Sequence, residues 1–256
     1  MEKRRLAGIG FLAGRWPLHP AKPTIVFIHG AGFTDVLWRR QVAALGDQAN
    51  CIALDLPGHG ASEGPGRERI ADYAESVYGF VHGIAAPRPF LCGHSMGGAV
   101  ALRLAIDHGD RFAGVALLNT GARLRVAPEI LEAITRDYDA YVASLPDFAA
   151  SPNTRRSMLE PLLREACGHE DPAVVAGDFR ACDAFDVMGE LWRVQVPTLA
   201  VAGEDDQVTP PKFSRYLAEH IAGAELQSIA HAGHLAPLEQ PDAVTGVISR
   251  FLLAQA

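Results

Sequence analysis

The sequence predicts an α/β fold with a mostly parallel central sheet, helices on both faces and an inserted helical cap. Short apolar runs alternate with segments whose apolar residues recur at helical spacing, which is typical of repeated β–α units. This alternation is interrupted over residues 122–190, where the apolar pattern is helical throughout. We therefore expect residues 1–121 and 191–256 to form the sheet-based core. Residues 122–190, which we call the helical insertion, are expected to form the cap.

Seven apolar runs are expected to form the strands, and they cover residues 6–12, 24–28, 51–55, 89–92, 114–119, 198–202 and 225–229. Helical patterns between them cover residues 38–45, 70–81, 99–105 and 212–221, and a last helix runs through Phe251. The first run follows basic residues, as the apolar part of a signal peptide would. Arg15 ends it early, however, and no small-residue cleavage pattern follows, so we interpret it as a strand.

Proline residues mark the ends of the helices in the helical insertion. Its helical patterns cover residues 128–144, 154–166 and 172–185, with prolines at 128, 146, 152 and 172. The insertion separates two predicted strands, and α/β sheets bind ligands beyond the carboxyl ends of their strands. We therefore expect the insertion to cover that edge of the sheet.

The most informative motif is Gly93-His94-Ser95-Met96-Gly97, which lies between an apolar strand and a helical pattern. In this context G-x-S-x-G forms a turn so tight that small residues must flank the serine. The turn holds the serine hydroxyl out above the sheet, and the amide that follows points at the reacting oxygen. Ser95 is therefore the candidate nucleophile.

A serine hydroxyl needs a base within hydrogen-bond reach, and that base needs a carboxylate that orients it. Two histidines, His231 and His234, lie in the loop after the last predicted strand. Two adjacent carboxylates, Asp205 and Asp206, follow the strand at 198–202, and adjacent residues cannot both face one imidazole. The residue types alone leave both choices open.

Five motifs occur in the order in which they appear in the α/β-hydrolases. They are H-G-A-G at 29–32, D-L-P-G-H-G-A-S at 55–62, G-H-S-M-G-G at 93–98, G-E-D-D-Q-V-T-P at 203–210 and A-G-H-L-A-P-L-E-Q-P at 232–241. Each motif alone has low specificity, whereas five ordered matches at compatible spacing are specific. The chain therefore resembles the α/β-hydrolase family over essentially its whole length, and the resemblance implies the fold of that family.

The resemblance also selects among the candidate residues. The family pattern G-x-x-D-x-x-x-P, which starts here at Gly203, selects Asp206 as the acid. The Gly-His pair that ends the last family loop selects His234 as the base. The resulting order along the chain, Ser95 then Asp206 then His234, is the order expected for this fold.

The resemblance further implies an oxyanion hole made of two backbone amides. One is the N–H of Met96, which follows the candidate nucleophile, and the other is the N–H of Ala31, just after the His-Gly turn. His29 is expected to brace this turn, and His94 to pack within the elbow. His59, in the second motif, is expected to stabilise its own loop by local hydrogen bonds.

A serine nucleophile with a histidine base transfers acyl groups to water, so we expect a carboxylic-ester hydrolase for small, mainly apolar acyl or aryl substrates. Enol-lactone hydrolysis is the closest alternative, because it needs little beyond the same residues. Relatives that cleave carbon–carbon bonds in ring-fission products usually carry Asn and Trp where this chain has His94 and Leu235, which makes that reaction a weaker alternative. A small-molecule receptor of the same fold is the non-enzymatic alternative.

The charge and composition of the chain limit the kinds of molecule that we expect it to bind. The net charge of −7 argues against nucleic acid and anionic membranes, and no apolar run approaches membrane-spanning length. The four cysteines lack metal-ligand spacing, and the glycine-rich turns match no nucleotide-binding motif, so we expect no metal and no cofactor. We expect a cytoplasmic monomer or homodimer with buried free thiols, whose partner is a small-molecule ester or lactone substrate.

Overall fold

A single eight-stranded sheet organises the chain in the computed structural model, which describes residues 1–167 and 169–255. Strands β3 to β8 run parallel to one another, whereas β1 and β2 pair antiparallel at one edge. The mostly parallel sheet confirms the predicted fold class. The strand order is β1-β2-β4-β3-β5-β6-β7-β8, and the strands are β1 Glu2–Leu6, β2 Ile9–Ala13, β3 Thr24–Ile28, β4 Asn50–Leu54, β5 Phe90–His94, β6 Gly114–Leu118, β7 Thr198–Gly203 and β8 Glu225–Ile229.

Helices cover both faces of the sheet, as predicted. These helices are α1 Arg39–Leu45, α2 Ile70–Gly83, α3 Met96–His108, α8 Pro211–His220 and α10 Pro241–Ala254, and a short helix α9 spans Ala236–Glu239. Along β3, Ile25 and Phe27 pack in one apolar cluster with α1 and α10, whereas Val26 and Ile28 pack in a second cluster with α2, α3 and α8. Side chains of a strand alternate between its two faces, so each cluster is the core on one side.

The N-terminal prediction is wrong in one respect, because the single strand expected at 6–12 is a hairpin. Strands β1 and β2 are joined by a turn at Ala7 and Gly8, whose φ angles are 49° and 81°. The charged strand β1 lies at the edge of the sheet and is exposed along almost its whole length. An exposed, charged edge strand contains no apolar run, which is the signal that the prediction used.

Among the described residues between β6 and β7 there are four α-helices, namely α4 Pro128–Arg136, α5 Tyr138–Phe148, α6 Arg156–Cys167 and α7 Pro172–Asp183. The one helix predicted over 128–144 is therefore two. Asp137 separates them with an extended backbone, and its side chain accepts a hydrogen bond from the N–H of Ala140. An aspartate in this position caps a new helix and satisfies one of its free amides.

A buried ion pair joins the helical insertion to the core. The carboxylate of Asp178 on α7 accepts hydrogen bonds from His59 Nε2, at 2.8 Å, and from the Tyr73 hydroxyl. Asp178, His59 and Tyr73 are completely buried. Burial alone would lower the pKa of His59, but the charge and hydrogen bond of Asp178 raise it to about 9. At neutral pH the histidine is therefore a buried cation paired with a buried carboxylate.

Three neighbouring groups, His29, Tyr73 and Glu170, keep one charge state between pH 7 and pH 9.5. Burial and the charge of His59 lower the pKa of His29 to about 3, and burial raises the pKa of Tyr73 well above its ordinary value. Burial raises the pKa of Glu170 to about 6. In this range His59 is the member of the group that loses its proton.

We predict that the pair stabilises the fold in a pH-dependent manner. The pKa of His59 is about 9 in the folded protein and ~6.5 in the unfolded chain. The stabilisation is therefore complete at pH values below the pKa of His59 in the unfolded chain. It is lost as the pH rises through the pKa of His59 in the folded protein. Urea unfolding should show that, between pH 7 and pH 9.5, the free energy of unfolding of the wild type falls by about 2 kcal/mol more than that of His59→Gln. Equal losses in the two proteins would contradict the charged pair.

Candidate active site

The turn at Ser95 is fixed by close contacts between backbone segments. Ser95 follows β5 and precedes α3. Its backbone angles are φ 52° and ψ −118°, and residues other than glycine rarely adopt a positive φ. A Cβ atom at Gly93 would lie 2.1 Å from the carbonyl oxygen of Gly97, and one at Gly97 would lie 2.3 Å from that of Ile28. The two glycines are thus a steric requirement, and the predicted elbow is present.

The three side chains predicted to react lie within hydrogen-bond distance of one another. His234 Nε2 lies 2.9 Å from Ser95 Oγ, and His234 Nδ1 lies 3.0 Å from Asp206 Oδ2. Nδ1–H of the neutral ring donates a hydrogen bond to the Asp206 carboxylate, which leaves Nε2 without a proton and able to accept the hydrogen bond of the serine hydroxyl. Ser95, Asp206 and His234 follow β5, β7 and β8, so the parallel sheet delivers all three to one edge.

Asp206 accepts hydrogen bonds on both carboxylate oxygens. Oδ1 accepts from the backbone N–H groups of Val208 and Thr209, and Oδ2 accepts from the Thr209 hydroxyl and from Asn119 Nδ2 at 2.8 Å. Burial alone would raise the pKa of Asp206, but His234 and the donated hydrogen bonds lower it well below its ordinary value. The group is therefore a carboxylate at neutral pH.

The two alternative residues have other surroundings. The Asp205 carboxylate accepts a hydrogen bond from the Ser151 hydroxyl at 2.6 Å and faces the segment between α5 and α6. His231 is exposed, with φ 56°, and its carbonyl oxygen accepts a hydrogen bond from the Gln240 side chain. The geometry places Asp206 and His234, rather than these neighbours, beside Ser95.

Sequence reasoning missed two residues that orient this cluster. Asn119 follows β6 with φ 48° and donates from Nδ2 both to Asp206 and to the carbonyl oxygen of Gly233. Glu239 accepts hydrogen bonds from the N–H groups of Gly233 and Leu235, which flank His234. One signal was available, because Asn119 is the polar residue that ends an apolar strand at the ligand-binding edge of the sheet.

His94 also positions His234, in addition to packing in the elbow. Its Nε2–H donates to the backbone carbonyl of His234 at 2.7 Å. Burial, and the neighbouring His234, lower the pKa of His94 to about 3, so the ring is neutral. The neutral ring has one N–H, and this hydrogen bond fixes it on Nε2.

The turn that carries Ala31 is braced by side chains and backbone of the core. His29 Nδ1 donates to the carbonyl oxygen of Gly30 at 2.8 Å, and the Phe33 N–H donates to the same oxygen at 3.2 Å. This carbonyl and the Ala31 N–H belong to one planar peptide group. The two hydrogen bonds therefore fix the direction of the Ala31 N–H, which agrees with the role expected for His29.

The second predicted amide belongs to Met96, the first residue of α3. The first amides of a helix have no intrahelical acceptor, and the helix dipole favours negative charge at this end. Met96 directly follows Ser95, so this amide is available next to the hydroxyl. Ala31 and Ser95 line the same cavity.

The cavity above Ser95 is small and mainly apolar. It measures about 90 Å³, and its wall is shared by the core loops and the helical insertion. Arg125 is at its rim, where the guanidinium donates to the carbonyl oxygen of Asp183. The larger apolar side chains of the wall are Phe33, Leu124, Val126, Ile130, Tyr141, Leu145, Phe148, Phe179, Val208, Phe213 and Leu235.

Within residues 1–167 and 169–255 no group of three His, Cys, Asp or Glu side chains is arranged to hold a metal ion. Nor does this part of the chain contain a helix of the length and apolarity needed to cross a membrane. All four cysteines are buried free thiols, as expected, and burial raises the pKa of Cys51 to about 12.

The chain is similar to known proteins in both sequence and structure. The 3-oxoadipate enol-lactonase 2 of Acinetobacter baylyi is 30% identical over 90% of each chain. The crystal structure of the enol-lactonase from Burkholderia xenovorans superposes with a TM-score of 0.87 at 30% identity, over 98% of this chain and 100% of that one. A malate-bound thermophilic esterase from Thermogutta terrifontis has a TM-score of 0.86 at 25% identity, over 100% and 99% of the two chains. Residues 25–247 match the profile of the Alpha/beta hydrolase family, and the chain is a member of this family of hydrolases.

Proposed function

We propose that the protein is a serine hydrolase that cleaves carboxylic esters of small, mainly apolar acyl or aryl groups. The observation that supports it most directly is the continuous chain of hydrogen bonds from Ser95 Oγ through His234 to Asp206. A hydroxyl at a strained turn, an imidazole in the correct tautomer and an ionised carboxylate are the parts that acyl transfer needs.

In the first half of the reaction Ser95 Oγ attacks the ester carbonyl carbon while its proton moves to His234 Nε2. The imidazolium that forms is stabilised by Asp206. The carbonyl oxygen becomes negative, and the N–H groups of Ala31 and Met96 are the proposed donors to it. When the carbon–oxygen bond to the alcohol breaks, His234 returns the proton to the leaving alcohol, and an acyl group remains on Ser95.

In the second half water attacks the acyl group, and His234 takes the proton of that water. The tetrahedral intermediate collapses, the carboxylic acid leaves, and Ser95 recovers its proton from His234. No cofactor enters either half. The same two amides stabilise the negative charge in both, so their placement affects both rates.

The cavity supports a preference for short acyl groups. A cavity of roughly 150 Å³ holds benzene, whereas this one measures about 90 Å³. We propose that residues 122–190 act as the cap, because residues of α4, α5 and α7 form the apolar wall opposite Ser95. Longer acyl chains then require the cap to move.

Lactone hydrolysis is the second candidate, and the similarity to two proteins named enol-lactonases favours it. A lactone is an internal ester, so the same steps apply, except that the leaving alcohol stays attached to the acyl group. Ester and lactone hydrolysis therefore share Ser95 and differ in the shape that the cavity must accept.

We predict that the wild-type protein releases p-nitrophenol from p-nitrophenyl acetate and butyrate over many turnovers, and faster than from the octanoate. Ser95→Ala should lower the rate by about 10³-fold or more, since it removes the nucleophile. Enol-lactones and saturated lactones, followed by acid release in the same two proteins, test the second candidate. A receptor would instead give at most one slow turnover and a rise in melting temperature with ligand.

The assignment of the acid can be tested with two adjacent variants. Asp206→Asn should lower kcat by roughly 10²–10⁴-fold, because the orientation and charge stabilisation of His234 are lost. Asp205→Asn is the matched control and should keep kcat within about threefold, since its carboxylate contacts Ser151 instead. Melting temperatures of both variants check that the fold is retained. The reverse pattern of activities would assign the acid to Asp205.

A further inference from the structure

The helical insertion contacts the predicted oxyanion turn through one buried carboxylate. Oδ2 of Asp178, on α7, accepts a hydrogen bond from the backbone N–H of Gly32 at 2.8 Å. Gly32 directly follows Ala31, the proposed oxyanion donor. The two partners are 146 positions apart in the sequence, so this contact exists only when the insertion is packed on the core.

The contact is closely packed on both sides. Gly32 has φ 69°, and a Cβ atom there would lie 3.0 Å from Cγ1 of Val175, one turn before Asp178 on α7. Helix α7 therefore lies directly over the glycine. The Asp178 carboxylate is completely buried, and its remaining partners are His59 on Oδ2 and Tyr73 on Oδ1.

We propose that Asp178 is a positioning residue, whose hydrogen bond to Gly32 holds the Ala31 amide in the orientation needed for catalysis. The inference rests on the proposed function, since the donor role of Ala31 belongs to it. On this view the insertion completes the oxyanion hole in addition to lining the cavity.

Two successive peptide groups of the turn are held from opposite sides. The Gly30–Ala31 peptide is held by the core, through hydrogen bonds to the Gly30 carbonyl oxygen. The Ala31–Gly32 peptide is held by the insertion, through Asp178. Without the second restraint the turn can rotate about the bonds at Ala31, and a misplacement of about 1 Å in a catalytic group can cost roughly 10²-fold in rate.

Charge alone does not explain the placement of Asp178. A negative carboxylate beside a site where negative charge develops opposes the reaction unless a cation neutralises it. The paired His59 supplies that cation. Asp178 therefore acts on the turn as a hydrogen-bond acceptor for the Gly32 N–H, rather than through its charge.

Two substitutions at this position separate the acceptor from the charge. Asp178→Asn keeps an oxygen at the position of Oδ2 and removes the charge. Asp178→Glu keeps the charge for His59 and moves the carboxylate by one methylene. We expect Asp178→Asn to keep kcat within about threefold of the wild type on p-nitrophenyl butyrate. Asp178→Glu should lower kcat roughly 10–100-fold with KM within about threefold.

Two further measurements distinguish positioning from general damage to the cap. A trifluoromethyl ketone, which forms an oxyanion on Ser95, should bind Asp178→Glu more weakly in proportion to its loss of kcat. Backbone hydrogen exchange of residues 29–34 should be faster in Asp178→Glu than in the wild type and Asp178→Asn. Tyr73→Phe is the matched control, because it removes a different partner of Asp178 and should change none of these readouts by more than about threefold.

The outcomes are distinct. If Asp178→Glu is as active as the wild type, or Asp178→Asn is the more damaged variant, the inference is overturned. The inference is also overturned if Tyr73→Phe lowers kcat as much as Asp178→Glu does, since the loss would then come from the packing of the insertion on the core and not from the hydrogen bond to Gly32. If the wild type shows no Ser95-dependent hydrolysis, the proposed function fails. The exchange of residues 29–34 then still decides whether Asp178 holds the turn.

Discussion

The lack of space around the turn at Ser95 is the constraint on which the rest of the site depends. Three backbone segments meet there, so that a Cβ atom at Gly93 or Gly97 would overlap a carbonyl group. This contact keeps Ser95 in a left-handed conformation that costs of order 1–3 kcal/mol and persists only when the surrounding core enforces it. The apolar strands β3 and β5 and the buried helix α3 provide that core. As a result the hydroxyl, the first amide of α3 and the turn after β3 come together at one edge of the sheet.

The parts of the site that could be predicted from the sequence are those encoded locally. Ser95, Asp206 and His234 each lie in a short motif at the end of a strand, and the structure brings them within hydrogen-bond distance. Asn119 and Asp178 have no such motif. Asn119 reaches Asp206 across 87 positions, and Asp178 reaches Gly32 across 146, so their roles follow from how the strands and the insertion pack. His59 shows the same division, because its Nδ1 contacts the carbonyl oxygen of Pro57 in its own loop, as expected, whereas its contact with Asp178 on α7 depends on how the insertion packs.

A comparison of three buried histidines, His29, His94 and His59, shows that the hydrogen-bond partner of the ring, rather than its burial, decides whether the ring is charged. His29 and His94 hydrogen-bond to backbone carbonyl groups, and burial lowers the pKa of each to about 3. His59 is equally buried, but it faces a carboxylate, and its pKa is raised to about 9. These neutral rings donate directed hydrogen bonds beside the proposed catalytic groups without adding charge there. The one charged ring is placed where its charge is cancelled, at the contact between α7 and the core.

The helical insertion is joined to the loop that carries His234 as well as to the turn at residues 29–32. One oxygen of Glu239 accepts from the amides on either side of His234, and the other accepts from the Ser151 N–H and the Thr154 hydroxyl, between α5 and α6. The amide of His234 itself donates to the carbonyl oxygen of Ala149, at the end of α5. Because His234 and the end of α5 share these partners, the insertion cannot shift by much without moving His234. The shape of the cavity and the position of the proposed base are therefore set by the same hydrogen bonds.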